Sequence, residues 1–240
     1  IYNNVISPQV HTIPVLRSVF SFLEMNYPGY LLTKPSLFEL FNRAGYETYF
    51  ISNQPFSGNV GTSYDALLEL AQNKYDLSSM KSYDEVLLEK LKVIMNETAT
   101  KDRFVVLHLA GNHMAYKFRY PSSFNVFDSD KDNFINLNKN VDKESRRTID
   151  EYDNSVLYND SIIAEVINIL EARKENKSVM IYFSDHGEEL FDFRNFAGHA
   201  YEKVSSYMCE IPFIVWLSDD FRKSCPELIF NMNLPYSIED

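Results

Sequence analysis

Glycine is scarce in this chain, with 7 among 240 residues, and no segment repeats or is of low complexity. That scarcity excludes a fibrous chain, and the apolar content excludes a disordered one. Long hydrophobic runs are missing as well. No window approaches the roughly 18 consecutive apolar residues that span a bilayer, and no signal-peptide pattern lies in these residues. Positive charge is short: 23 basic against 34 acidic residues leave a formal net charge of −11. A nucleic-acid binder needs a basic face, so nucleic acid is excluded as a partner. An anionic membrane would not attract such a field either, so contact with a membrane requires a tether. Cysteine is limited to Cys209 and Cys225. One pair of unknown geometry is weak ground for a disulfide, and two free thiols are the expected state.

What is present suits one α/β core. The composition is 45% hydrophobic and 15% aromatic over 240 residues, enough for a single domain spanning 1–240. Strand signals at Tyr2–Ile6, Thr48–Ser52, Phe104–Ala110, Val179–Phe183 and Ile211–Leu217 alternate with helical spacing. The helical stretches begin with Val15, Leu16, Val19, Phe20 and Leu23, then Ser36–Ala44 with a stop at Gly45. Tyr83–Met95 follows, and then Asp153–Ala172, whose buried face is expected to hold Val156, Leu157, Ile163, Val166, Ile167 and Leu170. Such alternation predicts a mostly parallel sheet with helices on both faces. Asn53–Ser63 reads as a loop, and the charged Asp128–Arg147 as a solvated insertion or mobile lid. Phe191, Phe193 and Phe196 mark another loop, which could close over a bound metal or touch lipid, with packing beneath the loop as the default expectation.

The chemistry gathers at strand ends. Val179–Phe183 stops on Asp185-His186-Gly187, and open α/β sheets bind ligands at the carboxyl ends of their strands. Asp and neutral His both donate to Zn²⁺, and Gly187 is expected to let the backbone turn sharply away. A strand followed by an ordinary polar turn explains the same three residues. Phe104–Ala110 ends in Gly111-Asn112-His113, and His199 follows Gly198 soon after the acid–imidazole pair. His108, within its strand, is expected to serve packing, whereas His113, His186 and His199 are expected in one cleft. Thr12 lies just before Pro14, at the start of a helix whose dipole and free N–H groups favour an anion. It is either a cap or a nucleophile.

In combination these segments resemble the catalytic domain of membrane-bound phosphoethanolamine transferases, within the alkaline phosphatase and sulfatase superfamily. The segments are His11-Thr12-Ile13-Pro14, Pro35-Ser36-Leu37 through Arg43-Ala44-Gly45-Tyr46, and Ile51-Ser52-Asn53-Gln54. To these add His108-Leu109-Ala110-Gly111-Asn112-His113, Arg119-Tyr120-Pro121, Tyr152-Asp153-Asn154-Ser155 and Tyr158-Asn159-Asp160. Phe183-Ser184-Asp185-His186-Gly187-Glu188-Glu189 and Ile211-Pro212-Phe213 complete them. The resemblance covers nearly the whole chain.

It implies an alkaline phosphatase-like fold and zinc held by Thr12, Asp185 and His186. Thr12 would also be the nucleophile that takes up phosphoethanolamine. His113 and His199 would act on substrate phosphate or its proton, or hold a second zinc, and Asn53 and Glu188 would complete the substrate-binding part. Sulfatases carry Cys or Ser where Thr12 stands, and Thr cannot mature to formylglycine, which argues against sulfate ester hydrolysis. The family's further zinc-binding glutamate comes from an earlier strand. The chain opens without Met and at a strand, so it reads as a fragment whose membrane segment and glutamate lie before residue 1, leaving the zinc site incomplete.

The implied reaction moves phosphoethanolamine from a phospholipid to an envelope glycan, lipid A or the lipopolysaccharide core. The chain would be a monomeric periplasmic domain of a bacterial inner-membrane protein. A metal-dependent hydrolase, a phosphoglycerol transferase and a non-catalytic module with a decayed site are the alternatives.

Overall fold

The computed structural model describes residues 1–22, 34–56, 63–80, 82–98, 100–131, 141–173, 177–228 and 231–238. In chain order the first elements are β1 (Val5–Ile6), α1 (Thr12–Ser21), α2 (Leu37–Arg43) and β2 (Glu47–Ser52). They continue with α3 (Ser63–Leu68), β3 (Asn73–Asp76), α4 (Glu85–Asn96) and β4 (Arg103–His108). Then come α5 (Lys143–Glu171), β5 (Val179–Phe183), β6 (Glu189–Leu190) and β7 (Ala197–Gly198). The last are α6 (Ser206–Cys209), β8 (Phe213–Leu217), α7 (Asp219–Ser224) and β9 (Tyr236–Ser237). Two compact units result: Ile1–Val10 with Gly111–Ser237, and His11–Ala110 with Ile238–Asp240.

The second unit is built on a parallel sheet ordered β3-β2-β4, with Ile51 opposite both Tyr75 and Leu107. Side chains alternate across a strand, and β2 shows it. Phe50 joins Leu16, Phe20 and Phe38 on one face, while Tyr49 and Ile51 join Val86, Leu87 and Ile94 of α4 on the other. Phe38, Phe50, Ile51 and Leu87 are wholly buried, each worth roughly 1.5–3 kcal/mol of transfer free energy. The expected layering, helices on both faces of a parallel sheet, holds in this unit. Ser36 caps α2 by accepting from Glu39 N at 3.0 Å, and β3 is a strand the sequence did not signal.

The first unit is more varied. β1 and β9 pair in parallel, but β5 and β8 are antiparallel, with Ile181 opposite Val215. The strand expected from Tyr2 is reduced to Val5–Ile6, with Tyr2 making an isolated bridge to Phe213. Helix α5 runs 29 residues, starting ten before the expected Asp153 and thus inside the stretch read as an insertion. Asp142 caps it by accepting from Ser145 N at 2.8 Å. Residues 132–140 of that insertion, 57–62 of the Asn53–Ser63 loop and Leu23 lie outside the described residues.

The buried face of α5 also differs from expectation. Of the expected residues Ile163 is buried, Leu157, Val166, Ile167 and Leu170 are half-buried and Val156 is exposed, while the other buried positions are Ser145, Asn154, Ser155, Tyr158, Asn159 and Ile162. Asn154 Oδ1 accepts from Val126 N and Phe127 N, each at 2.8 Å, and Asp150 Oδ2 accepts from Ser129 N at 2.8 Å. The first half of this helix is therefore held by polar bonds rather than apolar packing. Both cysteines are free thiols, as expected, and burial raises the pKa of Cys209, with Glu210 adding to it. Among the described residues no helix is long and apolar enough to cross a membrane.

Candidate functional site

Strand β5 delivers the acid–imidazole pair. Beyond Phe183 the chain folds tightly, with Ser184 Oγ donating to the His186 carbonyl at 2.7 Å. His186 Nδ1 lies 3.0 Å from the Gly187 carbonyl oxygen. A carbonyl only accepts, so Nδ1 carries a proton, and Nε2 is the nitrogen this ring would offer to a metal. That Nε2 is 3.7 Å from Asp185 Oδ2. Two ligands of one tetrahedral zinc, bound at about 2.0–2.2 Å, stand roughly 3.3–3.6 Å apart, so the pair is close to ligating distance.

Gly187 is needed for a different reason from the one expected. Its φ is not in the left-handed region. Instead a Cβ there would stand 2.1 Å from the Tyr207 carbonyl oxygen and 2.8 Å from that of Glu210. Gly187 N also donates to the Met208 carbonyl at 2.8 Å. The glycine lets the segment around α6 press directly against the turn that carries His186. Gly187→Ala should push that segment away and cost roughly 1–3 kcal/mol. A drop of several degrees in the melting temperature, read by calorimetry, is the expected result.

The hairpin β6–β7 supplies the second half. It pairs Glu189 with Gly198, which sets Glu188 beside His199. His199 Nδ1 and Glu188 Oε1 are 2.9 Å apart, with the side chains 14% and 6% exposed. The His199 ring lies 4.0 Å from that of His186, centroid to centroid. Donor atoms of His186, Glu188 and His199 all fall within 4.8 Å of one another. Gly198 has φ +111, and a Cβ on it would meet Met114 Cε at 2.8 Å. The hairpin is held by Glu189, which is wholly buried and takes two bonds from Arg194, at 2.8 and 2.7 Å. Burial raises the Glu189 pKa, but Arg194 outweighs it and holds the carboxyl below its usual range.

His113 stands exposed on the turn after β4, where Arg119 Nε donates to its carbonyl at 3.0 Å. Arg119 Nη2 is 3.5 Å from His113 Nδ1. A guanidinium only donates, so at this contact Nδ1 is the acceptor. Asn112 Nδ2 donates to Ser155 Oγ at 2.7 Å, fastening the turn to α5. The Met114 contact with Gly198 brings this turn against the strand that leads into His199.

The remaining expected residues lie in the second unit. His108 does serve packing: its Nδ1 is 3.0 Å from Ser52 Oγ, and its ring lies 5.8 Å from that of Phe50. Asn53 is buried, and its amide donates to Ser82 O at 3.2 Å and to Asp84 Oδ1 at 2.9 Å. Asp84 also accepts from Ala110 N at 2.9 Å, tying the ends of β2 and β4 together. Thr12 opens α1, half-buried, as its first helical residue. The cap is His11, in extended backbone at φ −142, with no side-chain capping bond. Thr12 is therefore not the cap.

Two tyrosines escaped sequence reasoning, because a buried tyrosine reads as core. Tyr116 is 3% exposed and stands edge-on to Tyr152 at 5.1 Å. Burial first, and then the charge of Glu188, push the pKa of both phenols up, so both stay neutral. Neither Tyr116 Oη nor Glu188 Oε2 has a hydrogen-bond partner at ordinary geometry, although both are buried. The phenylalanine loop differs from expectation too. Phe193 is 60% exposed and stacks on Tyr207 rather than packing under the loop, while Phe196 lies beneath Arg194 and Lys203.

Zinc fits the chemistry of this donor set, two imidazoles with anchored Nδ1 atoms beside the carboxylates of Asp185 and Glu188. Known proteins resemble this chain over nearly its whole length. Residues 1–240 match the protein family described as Sulfatase. Phosphoethanolamine transferase EptC of Escherichia coli strain K12 is 30% identical over 233 residues, covering 94% of this chain and 40% of that protein. Phosphoethanolamine transferase CptA of Salmonella typhimurium strain LT2 is 31% identical over 233 residues, with the same coverage of 94% and 40%. The chain thus spans about 40% of the length of these curated relatives. Among solved structures, the C-terminal periplasmic domain of Escherichia coli EptC in complex with Zn superposes with a TM-score of 0.90. It is 29% identical and covers 99% of this chain and 68% of that one. These likenesses show the expected alkaline phosphatase-like α/β fold.

Proposed function

This chain belongs to the sulfatase family, and we propose that it is the catalytic domain of a zinc-dependent phosphoethanolamine transferase. Its donor is a phospholipid, phosphatidylethanolamine, and its acceptor a cell-envelope glycan, lipid A or the lipopolysaccharide core. The observation that carries this reading is the His186–Glu188–His199 cluster beside Asp185, in a chain 30% identical to a named phosphoethanolamine transferase. The fold likeness to a periplasmic domain that binds Zn supports both the metal and a periplasmic location. The working enzyme is longer than these residues and is held at the inner membrane by another of its segments.

Asp185, His186 and Thr12 would hold the zinc. Bound there, zinc would favour the ionised form of a hydroxyl and offset charge on phosphoryl oxygens. Thr12 Oγ1 attacks the phosphorus as it loses its proton, and the bond to the diacylglycerol oxygen breaks. That oxygen takes up a proton and leaves, while phosphoethanolamine remains on Thr12. A hydroxyl or phosphate oxygen of the glycan then attacks the phosphorus as the Thr12 Oγ1–P bond breaks, and Thr12 takes up the proton that an attacking hydroxyl gives up, or one from solvent where a phosphate attacks. His113 and His199 bind the phosphoryl oxygens and carry protons in both steps, while Glu188, behind His199, and the buried Asn53 belong to the outer part of the site.

The test is donor competition with purified full-length protein, zinc and lipid A. Phosphatidylethanolamine labelled in its headgroup should deliver label to lipid A, and phosphatidylglycerol should deliver none. Release of free phosphoethanolamine without labelled glycan would make the protein a hydrolase and end this reading.

A further inference from the structure

A buried carboxylate and a buried phenol near His199 are left half-used by the chemistry described so far. Glu188 Oε1 faces His199 Nδ1 at 2.9 Å, yet Oε2 of the same carboxylate is buried without a partner. Tyr116 Oη is in the same condition. We propose that Tyr116 and Glu188 are positioning residues: the phenol donates to Glu188 Oε2, Glu188 Oε1 accepts a hydrogen bond from His199 Nδ1, and His199 works through Nε2 alone.

The chemistry of the groups leaves little choice of direction. An ionised carboxylate only accepts, so a bond of 2.9 Å requires the proton on His199 Nδ1. A ring carrying that single proton has its lone pair on Nε2. A free imidazole prefers the opposite arrangement, so the carboxylate must hold the tautomer in place. Tyr116 is kept neutral by its burial and by the charge of Glu188, so it remains a donor, and Glu188 Oε2 is the unmet acceptor beside it. Leaving either atom unpaired away from water is costly, and one bond between them satisfies both.

Packing permits the arrangement. Gly198 brings its backbone to where a Cβ would stand 3.7 Å from Glu188 Oε2 and 2.8 Å from Met114 Cε, two residues before Tyr116. Tyr152 backs the Tyr116 ring edge-on at 5.1 Å. His186 is anchored in the same sense, Nδ1 to the Gly187 carbonyl, so the two neighbouring rings both present Nε2. Outer partners of this kind usually change activity by roughly 10–100-fold when removed.

The inference rests on His199 acting in phosphoryl transfer, but its first readout does not need turnover. Zinc-loaded full-length protein, labelled with ¹⁵N at histidine, reports the tautomer of each ring without donor or acceptor. The His199 signal is assigned by its loss in His199→Gln. In the wild type, His199 should carry its proton on Nδ1. Glu188→Ala should move it to Nε2, Glu188→Gln should restore part of the Nδ1 form, and Tyr116→Phe should give a mixture. In the transfer assay Tyr116→Phe should lower kcat by about tenfold with KM unchanged and bound zinc unchanged. A His199 tautomer indifferent to Glu188→Ala, or a Tyr116→Phe enzyme with wild-type kcat, would overturn the proposal. If instead the tautomer responds as expected but the wild type transfers nothing, the positioning stands and the proposed function falls.

Discussion

Thr12→Ala should abolish transfer of phosphoethanolamine while leaving the fold almost unchanged. The two roles of a threonine at a helix start separate here, because the capping position belongs to His11 and not to Thr12. Removing the hydroxyl therefore costs at most the low end of the capping range, about 0.5 kcal/mol. Removing the nucleophile instead takes away the covalent route itself, and residual activity should fall to background, a loss of at least about 10³-fold. Thr12→Ser keeps a hydroxyl at the same helix start and should keep part of the rate. Mass spectrometry of lipid A and core oligosaccharide from strains carrying each variant reads the difference. A Thr12→Ala strain with a normally decorated envelope would show that another group is the nucleophile.

Stripping the metal should have an effect of similar size, on stability as well as rate. Asp185 and His186 present donors 3.7 Å apart, and the cluster of His186, Glu188 and His199 adds more within 4.8 Å. A ligand at about 1,000 times its dissociation constant stabilises the folded state by about 4 kcal/mol. For a domain of this size that corresponds to roughly 8–16 °C in the melting temperature of the domain's own transition. Chelation of the purified full-length protein should lower the melting temperature by about that amount and stop transfer, and added zinc should restore both. His186→Ala should remove most of the zinc response in melting and lower transfer by at least 10²-fold. Full activity in protein shown to hold far less than one equivalent of metal would contradict the assignment.

Strands with apolar side chains on both faces were the most readable parts of this chain. Val179–Phe183 matches β5 residue for residue, and Thr48–Ser52 falls one residue short of β2. In β2 the run has one stable placement, with Phe50 on one side and Tyr49 and Ile51 on the other, whereas β5, expected to be a buried strand, leaves Val179 and Ile181 exposed. Helix α5 was only half legible, because its first turns are fixed by Asp142, Asp150 and Asn154 through hydrogen bonds. Hydrophobic spacing carries no trace of a polar buried stripe. β3 was missed for a related reason: Asn73-Lys74-Tyr75-Asp76 is mostly polar and becomes a strand through its register with β2.

The candidate site shows the same division. Asp185, His186 and His199 could be singled out because glycines and strand ends surround them, and the folded chain gathers His186 and His199 with Glu188. The role of Gly187 was not legible, since only the fold brings the Tyr207 and Glu210 carbonyls against it. Tyr116 was invisible for the opposite reason. Its ring belongs to the interior, and only the unmet oxygen of Glu188 nearby gives its hydroxyl a task.

The central claim is a covalent adduct on Thr12, and trapping it is the most direct measurement. Zinc-loaded full-length protein is mixed with phosphatidylethanolamine in the absence of any glycan acceptor, quenched in acid and digested. The peptide containing Thr12 should then carry one phosphoethanolamine group, and adding lipid A before the quench should remove it as the modified lipid appears. A Thr12 peptide that stays unmodified while diacylglycerol is released and lipid A is modified would contradict the account.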